Sequence, residues 1–292
     1  MPRTLYECLE GTRFGLVLSA GYFGFFGHVG FLKGLGEAGL VPSAFAGSSA
    51  GGLVCALAAA GLPLASLEQT VLGLSRESFW DPDPLGALRG ALFGGFGATG
   101  LLKGDKFQAL LRRKLPVSRM EDCPRPLTLV ATGLTDGRAE VLTHGLLAPR
   151  VHASCAYPGL FRAVEVDGKL LWDGGLADKA PALALSNSPG GKGLEAILIH
   201  YLPSRMSNAA GGAWAYPRAM GAGIGALRND NFKLQLAVLK ARGLTTHVVE
   251  SDLPAISPHT LSRGAEAMEA GRHSAVQALA RAPRLFDGRD RI

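Results

Sequence analysis

No apolar stretch in this sequence reaches the ~20 residues that a bilayer-spanning helix needs. Segments such as Leu53–Leu64 are interrupted by glycine or proline, so no transmembrane helix is expected. The opening residues place Glu7, Glu10 and Arg13 ahead of a short apolar run. That is not the basic-then-apolar order of a secretory leader, and no signal peptide is expected. A cytoplasmic protein, or one held peripherally at a membrane face, is the expectation. Cysteine is also scarce: Cys8, Cys55, Cys123 and Cys155 are scattered without CxxC spacing, which argues against a disulfide framework and a zinc site. Cys55 sits in an alanine-rich helical stretch and reads as a buried free thiol. His144, His152 and His200 show no ligand spacing either, so neither a metal nor another cofactor is expected. There is no internal repeat, no low-complexity tract and no basic stripe interleaved with aromatics, and a nucleic-acid partner is not expected. Charged residues make up only 18% of the chain. Their balance, +6, bears mostly on solubility and on non-specific association with an anionic lipid surface or nucleic acid, and a basic run at Arg281, Arg284, Arg289 and Arg291 reads equally well as a lipid contact or a solvated tail. The oligomeric state is not legible.

What is present is apolar material: 47% of 292 residues are hydrophobic, enough to bury a sizeable core, and residues 1–292 read as a single domain. Phe14–Ser19 is a short apolar run ending in small residues, and Phe26–Leu40 carries Val29, Leu32 and Leu35 at helical spacing. Ala44–Ala46 predicts a second strand, and Ala50–Ala60 a small-residue helix that stops at Gly61-Leu62-Pro63. This β-α-β-α opening predicts an α/β fold, a mainly parallel sheet flanked by helices. Farther on, Ser75–Leu102 is rich in Gly, Pro and aromatics and reads as a long loop, equally well an irregular surface insertion or a binding segment whose Trp80, Phe93 and Phe96 contact a lipid surface or acyl chain. A helix is predicted at about Lys103–Lys114, and strands over Pro126–Thr132, Ala139–Leu142, Val164–Val166, Lys169–Trp172, Leu194–His200 and Thr246–Glu250. Helices are predicted over Ala213–Arg242 and Arg263–Arg281.

Gly47-Ser48-Ser49-Ala50-Gly51 fits G-x-S-x-G between a predicted strand and a predicted helix, the setting of a nucleophile elbow. The chain's own composition yields about 0.3 accidental matches to so short a motif, so its flanks carry the weight. Centring the motif on Ser48 would put Ala46 and Ala50 where glycine is wanted, which favours Ser49. Gly47 and Gly51 leave room for the tight turn, and the helix starting at Ala50 points free N–H groups at an oxyanion formed there. Serine needs a base. A Ser-Asp-His triad could draw on His200, His247 or His259, but only one βα unit precedes Ser49, which is not the topology of the usual triad enzymes.

In these motifs and their order the chain resembles the patatin-like phospholipase family, from about Phe14 to about Ala180. Leu16 through Gly30 is similar to its glycine-rich oxyanion segment and first helix, and Gly47–Gly51 to its elbow. Gly100–Gly104, Val130–Thr132 and Ala153–Phe161 are similar to further landmarks, and Asp173-Gly174-Gly175 to its D-G-G/A box. The resemblance implies a three-layer α/β fold and a lipid acyl hydrolase with a Ser-Asp dyad: Ser49 attacks the ester carbonyl, Asp173 accepts the proton, and Gly21, Tyr22 and Ala50 offer backbone N–H groups to the oxyanion. It leaves His28 a packing and hydrogen-bonding role. Against the family pattern, Ser19, Ala20 and Tyr22 stand where bacterial relatives usually have glycine, Gly24 where they have arginine, and Gly133 where aspartate is frequent. Two other readings stand beside the hydrolase: a non-hydrolytic lipid-binding scaffold, and an acyltransferase on a related fold. The second is lowered by Ser48, since malonyl-transfer enzymes generally carry histidine before the nucleophile.

Overall fold

A strand that is apolar on both faces belongs in the middle of a sheet covered on both sides, and the chain has several. The computed structural model describes residues 3–93, 99–203, 215–257 and 260–283, with the backbone alone for 87, 89, 91, 93 and 215–220. In chain order come α1 (Leu5–Leu9), β1 (Phe14–Leu18), α2 (Phe25–Glu37), β2 (Ala44–Ser48), α3 (Ala50–Ala59), α4 (Leu64–Leu72), α5 (Pro84–Phe93), β3 (Gly100–Leu102) and α6 (Asp105–Lys114). They are followed by β4 (Leu127–Gly133), β5 (Ala139–Leu142), α7 (Leu147–Cys155), β6 (Gly159–Phe161), β7 (Val164–Val166) and β8 (Lys169–Asp173). Last come α8 (Ala182–Asn187), β9 (Ala196–Tyr201), α9 (Ala215–Ala241), β10 (Thr245–Glu250) and α10 (Gly264–Leu279).

The main sheet has eight strands in the order β10-β9-β1-β2-β4-β8-β7, with β5 also paired to β4. From β10 to β4 all neighbours are parallel, and β8, β7 and β5 add antiparallel pairs at the far side. Phe14, Leu16 and Leu18 of β1 join Ala196 and Leu198 of β9 in a core with residues of α2, α3, α4, α6, α7 and α10. Val17, Ile197, Ile199 and Tyr201 face the other way, onto Leu185 of α8 and Phe232, Leu236 and Leu239 of α9. Alternate side chains thus feed two cores, one on each side of the sheet, and the three layers expected of the α/β class are present.

The packing around β1 creates both a crevice and a clamp. The chain runs from β1 to β2 in one direction and later returns to add β9 and β10 on the other side of β1. Strand order therefore reverses between β9 and β1, and the carboxyl ends of strands beside such a reversal are the usual crevice for a ligand in a parallel sheet. Helix α2 is clamped from outside. A methyl group on Gly30 of α2 would lie 1.8 Å from the Met268 carbonyl oxygen, and one on Gly271 of α10 would lie 2.0 Å from that of Gly27. The two helices approach backbone to backbone.

The predicted strands agree with those observed to within a residue or two, but Ser75–Leu102 is corrected. Instead of a structureless loop it holds a 3-10 turn at Arg76–Ser78, helix α5 and strand β3, which pairs with β6. Trp80 packs partly buried against the core with the Arg76 guanidinium 3.8 Å over its ring, so it is not a free lipid-facing side chain. Leu85, Leu88 and Leu92 of α5 are exposed instead. The Phe93 side chain, Phe96, His259, Arg284, Arg289 and Arg291 lie outside the described residues. Cys55 is fully buried, its thiol donating to the Ala46 carbonyl. Among the described residues no helix is long and apolar enough to cross a membrane, and no cluster of ligating side chains could hold a metal ion.

Candidate active site

Strand β2 and helix α3 are joined by a single residue, Ser49, whose backbone sits at φ 53° and ψ −124°. Side chains other than glycine rarely adopt that conformation, and its cost is sustained only where surrounding packing enforces it. Here the enforcement is steric. A methyl group on Gly47 would come within 2.6 Å of the Gly51 carbonyl carbon, and one on Gly51 within 2.1 Å of the Leu18 carbonyl oxygen. Only glycines at both places let the strand turn straight into the helix and let α3 lie against the end of β1. Further bonds hold the turn: the Ser49 N–H donates to Ser154 Oγ at 3.1 Å, Ser154 Oγ donates to the Val130 carbonyl at 2.6 Å, and the Cys155 thiol donates to the Ser49 carbonyl at 3.2 Å.

The Asp173 carboxylate arrives from the end of β8. Ala131 of β4 is its antiparallel partner, and the Asp173 carbonyl accepts from Thr132 Oγ1 at 2.8 Å. The Asp173 N–H donates to the Ala156 carbonyl, and the Gly174 N–H to that of Ser154, so α7 supports both the elbow and the DGG turn. Ser49 Oγ donates to Asp173 Oδ2 at 2.5 Å, while the Gly175 N–H donates to Asp173 Oδ1 at 2.7 Å. A hydroxyl 124 residues away in sequence is thereby placed on a carboxylate that is only 3% exposed. Burial pushes the Asp173 carboxyl up to about 6, against the opposing pull of the Ser49 hydroxyl, the Gly175 N–H and the nearby positive charge of Arg228. Gly174 needs to be glycine because a methyl there would meet the Val130 carbonyl oxygen at 1.9 Å.

Beside this pair runs the segment that leaves β1. The Ser19 N–H donates to the His200 carbonyl and the Ala20 N–H to that of Lys179, but the N–H groups of Gly21, Tyr22 and Ala50 have no hydrogen-bond partner among the described residues. Ala20 packs at Gly175 and the Leu18–Ser19 backbone at Gly51, so the segment is wedged between the DGG turn and the elbow. The left-handed residue of this loop is Phe23, φ 53°, and not Tyr22, whose Cβ meets no such demand. Tyr22 is 62% exposed, and its ring lies 6.0 Å from that of Tyr157, two residues beyond the thiol on the elbow.

Ser48, the alternative centre of the motif, is fully buried, and its hydroxyl has no hydrogen-bond partner among the described residues. His28 and His200 bond each other, and His152 bonds Gln108. Sequence reasoning passed over three contributors. Ser154 lies inside a family landmark without an evident role; Thr132 closes another such landmark; and Arg228, on α9, carries no local signal at all. A methyl on Gly175 would be 3.0 Å from both Arg228 Nη2 and Asp173 Oδ1, which places the guanidinium and the carboxylate within twice that distance of each other.

Comparison with known proteins places the chain in a family. An uncharacterized NTE family protein of Mycobacterium tuberculosis is 32% identical over 175 residues, which is 59% of this chain and 45% of that protein. The patatin-like phospholipase domain-containing protein 6 of Mus musculus is 29% identical over 195 residues, 66% of this chain and 14% of that one. The chain thus spans under half the length of the curated relatives it matches. Among solved structures, VipD from Legionella pneumophila superposes with a TM-score of 0.51 at 14% identity, covering 98% of this chain and 72% of VipD, a likeness of fold. The patatin-like phospholipase family model matches residues 16–186, from β1 through the elbow and the DGG turn to α8, and to that family this chain belongs.

Proposed function

We propose that this chain is a serine acyl hydrolase that cleaves carboxylic esters of lipids through a Ser-Asp dyad and an acyl-enzyme intermediate. The observation that carries the reading is the 2.5 Å hydrogen bond from Ser49 Oγ to a buried carboxylate. Asp173 Oδ2 takes the hydroxyl proton as Ser49 Oγ adds to the ester carbonyl, and burial raises its basicity to a value suited to that transfer near neutral pH. The negative charge then developing on the substrate oxygen meets the unpartnered N–H groups of Gly21, Tyr22 and Ala50, the last at the positive end of α3. Collapse expels the alcohol, which takes up the proton from Asp173. Water, activated by the same carboxylate, releases the fatty acid. Asp173 serves as the base in both half-reactions, so no histidine is needed for that role.

The test is covalent labelling with a fluorophosphonate, joined to mass spectrometry of products from a mixed lipid extract. Wild-type protein should label at Ser49 and release fatty acid, and Ser49→Ala should do neither while unfolding at the normal temperature. Transfer of the acyl group to an added alcohol in preference to water would favour the acyltransferase. Absence of labelling in well-folded wild-type protein would favour the binding scaffold.

A further inference from the structure

The dyad leaves unused a chain of buried polar side chains behind the oxyanion segment. Ser251 Oγ lies 2.7 Å from His200 Nε2, His200 Nδ1 lies 2.9 Å from His28 Nδ1, and His28 Nε2 lies 2.8 Å from the Ser19 carbonyl oxygen. All four residues are 0–1% exposed, and the His200 ring is stacked 4.0 Å from that of Phe31. Each proton along this path can be assigned. A carbonyl oxygen only accepts, so His28 Nε2 carries hydrogen. Burial holds the His28 imidazole down to about 4, so the ring is neutral at pH 7 and its Nδ1 accepts. His200 Nδ1 must then donate. Burial and the neighbouring His28 keep His200 neutral as well, so its Nε2 accepts from the Ser251 hydroxyl. The result is a one-way series of donors: Ser251 to His200, His200 to His28, and His28 to Ser19.

Its terminus is Ser19, the residue at which β1 stops pairing and the chain turns toward Ser49. Every polar atom of Ser19 is engaged: its N–H with the His200 carbonyl, its carbonyl with His28, and its hydroxyl as acceptor from the Leu202 N–H at 2.9 Å. The next residue is tied by its N–H to Lys179, and the two after it carry the free N–H groups. We propose that His28, His200 and Ser251 are positioning residues for catalysis, a donor chain that fixes the Ser19–Ala20 peptide plane and so aims the Gly21 and Tyr22 N–H groups at the ester oxygen held against Ser49. This inference rests on the hydrolase reading. It explains why a pair of imidazoles, costly to bury, occupies a place where apolar side chains would pack, behind a loop in which Ser19 and Ala20 stand where the family usually has glycine.

The test has a spectroscopic and a kinetic arm, both on the full chain. In protein labelled with ¹⁵N-histidine, two-bond ¹H–¹⁵N correlations at pH 7 should show His28 neutral with hydrogen on Nε2 and His200 neutral with hydrogen on Nδ1. Any other pair of tautomers, or a charged ring, overturns the chain. On a short soluble ester, His28→Leu should lower kcat roughly tenfold or more with KM unchanged, short of the larger loss from deleting an oxyanion donor outright. His28→Gln, whose amide can still donate to the Ser19 carbonyl, should restore most of the loss. If His28→Leu does not fold, Ser251→Ala takes its place: it should leave His200 in mixed tautomers and lower kcat several-fold. A folded His28→Leu, or in its place Ser251→Ala, with wild-type kcat refutes the inference, as does a change confined to KM. The hydrolase reading is judged separately, by whether Ser49→Ala abolishes labelling.

Discussion

Asp173→Asn removes one negative charge while keeping the side-chain volume and the acceptor that the Gly175 N–H uses. For turnover the change should be severe: asparagine cannot take the proton from Ser49 Oγ, and activity should fall by orders of magnitude. For stability the direction is opposite. In the folded protein the Asp173 carboxyl is raised from 3.8 to about 6, with burial as the leading cause. A raised carboxyl contributes stability while protonated, below about pH 4, and that contribution is lost as pH rises through about 6. A shift of this size costs about 3 kcal/mol once titration is complete, with about half of it already incurred at pH 5. Asparagine is neutral throughout and escapes the cost. Asp173→Asn should therefore unfold at higher urea than wild type at pH 8, by an amount corresponding to about 3 kcal/mol, and the gap should shrink by about half at pH 5. Other titrating groups are common to both proteins and cancel in the difference. The wild-type kcat/KM should rise about tenfold per pH unit below about 6 and level off above it. Wild-type turnover in Asp173→Asn, or a stability gap that does not change between pH 5 and pH 8, would refute the reasoning.

Arg228→Met should move the rising limb of that pH–rate profile to higher pH, because the guanidinium favours the Asp173 carboxylate; an unmoved limb would show that the charge is screened from the site. Ser48→Ala deletes a buried hydroxyl with no partner among the described residues, so labelling should persist and thermal stability should stay level or rise by up to about 1 kcal/mol. Replacing the exposed Leu85, Leu88 and Leu92 with serine should depress hydrolysis of aggregated lipid more than that of a short soluble ester, measured side by side. Equal losses on the two substrates would assign α5 a folding role.

The elements legible in the sequence were those with a strong period or a sharp stop. The β4–β5 and β7–β8 hairpins were marked by Asp-Gly turns between apolar runs, and the first βαβα unit by its glycine and proline breaks. The elbow was legible because it needs glycine at fixed places for steric reasons, whereas the DGG turn stood out only through the family resemblance. Helix α5 was not: its Pro84, Gly86 and Gly90 resemble loop composition, and its leucines face solvent. Nor was the donor chain from Ser251 to Ser19, since its members come from α2, the end of β9 and the residue after β10 and meet only through strand order. Arg228 was hidden for the same reason. It approaches Asp173 from a helix that shares no motif with it.

The backbone-to-backbone seam between Gly30 and Gly271 bears on where this protein can be cut. The recognisable family signature stops at residue 186, yet β1 is flanked by β9 and α2 is covered by α10, both farther along the chain. A fragment trimmed to the signature would retain Ser49 and Asp173 and lose the outer wall of the helix that follows the Gly21–Tyr22 loop. Expression of such a fragment is expected to yield aggregate instead of a minimal enzyme. Libraries that vary the C-terminal third should treat Gly271 as immovable, although it lies far in sequence from every residue that would touch a substrate.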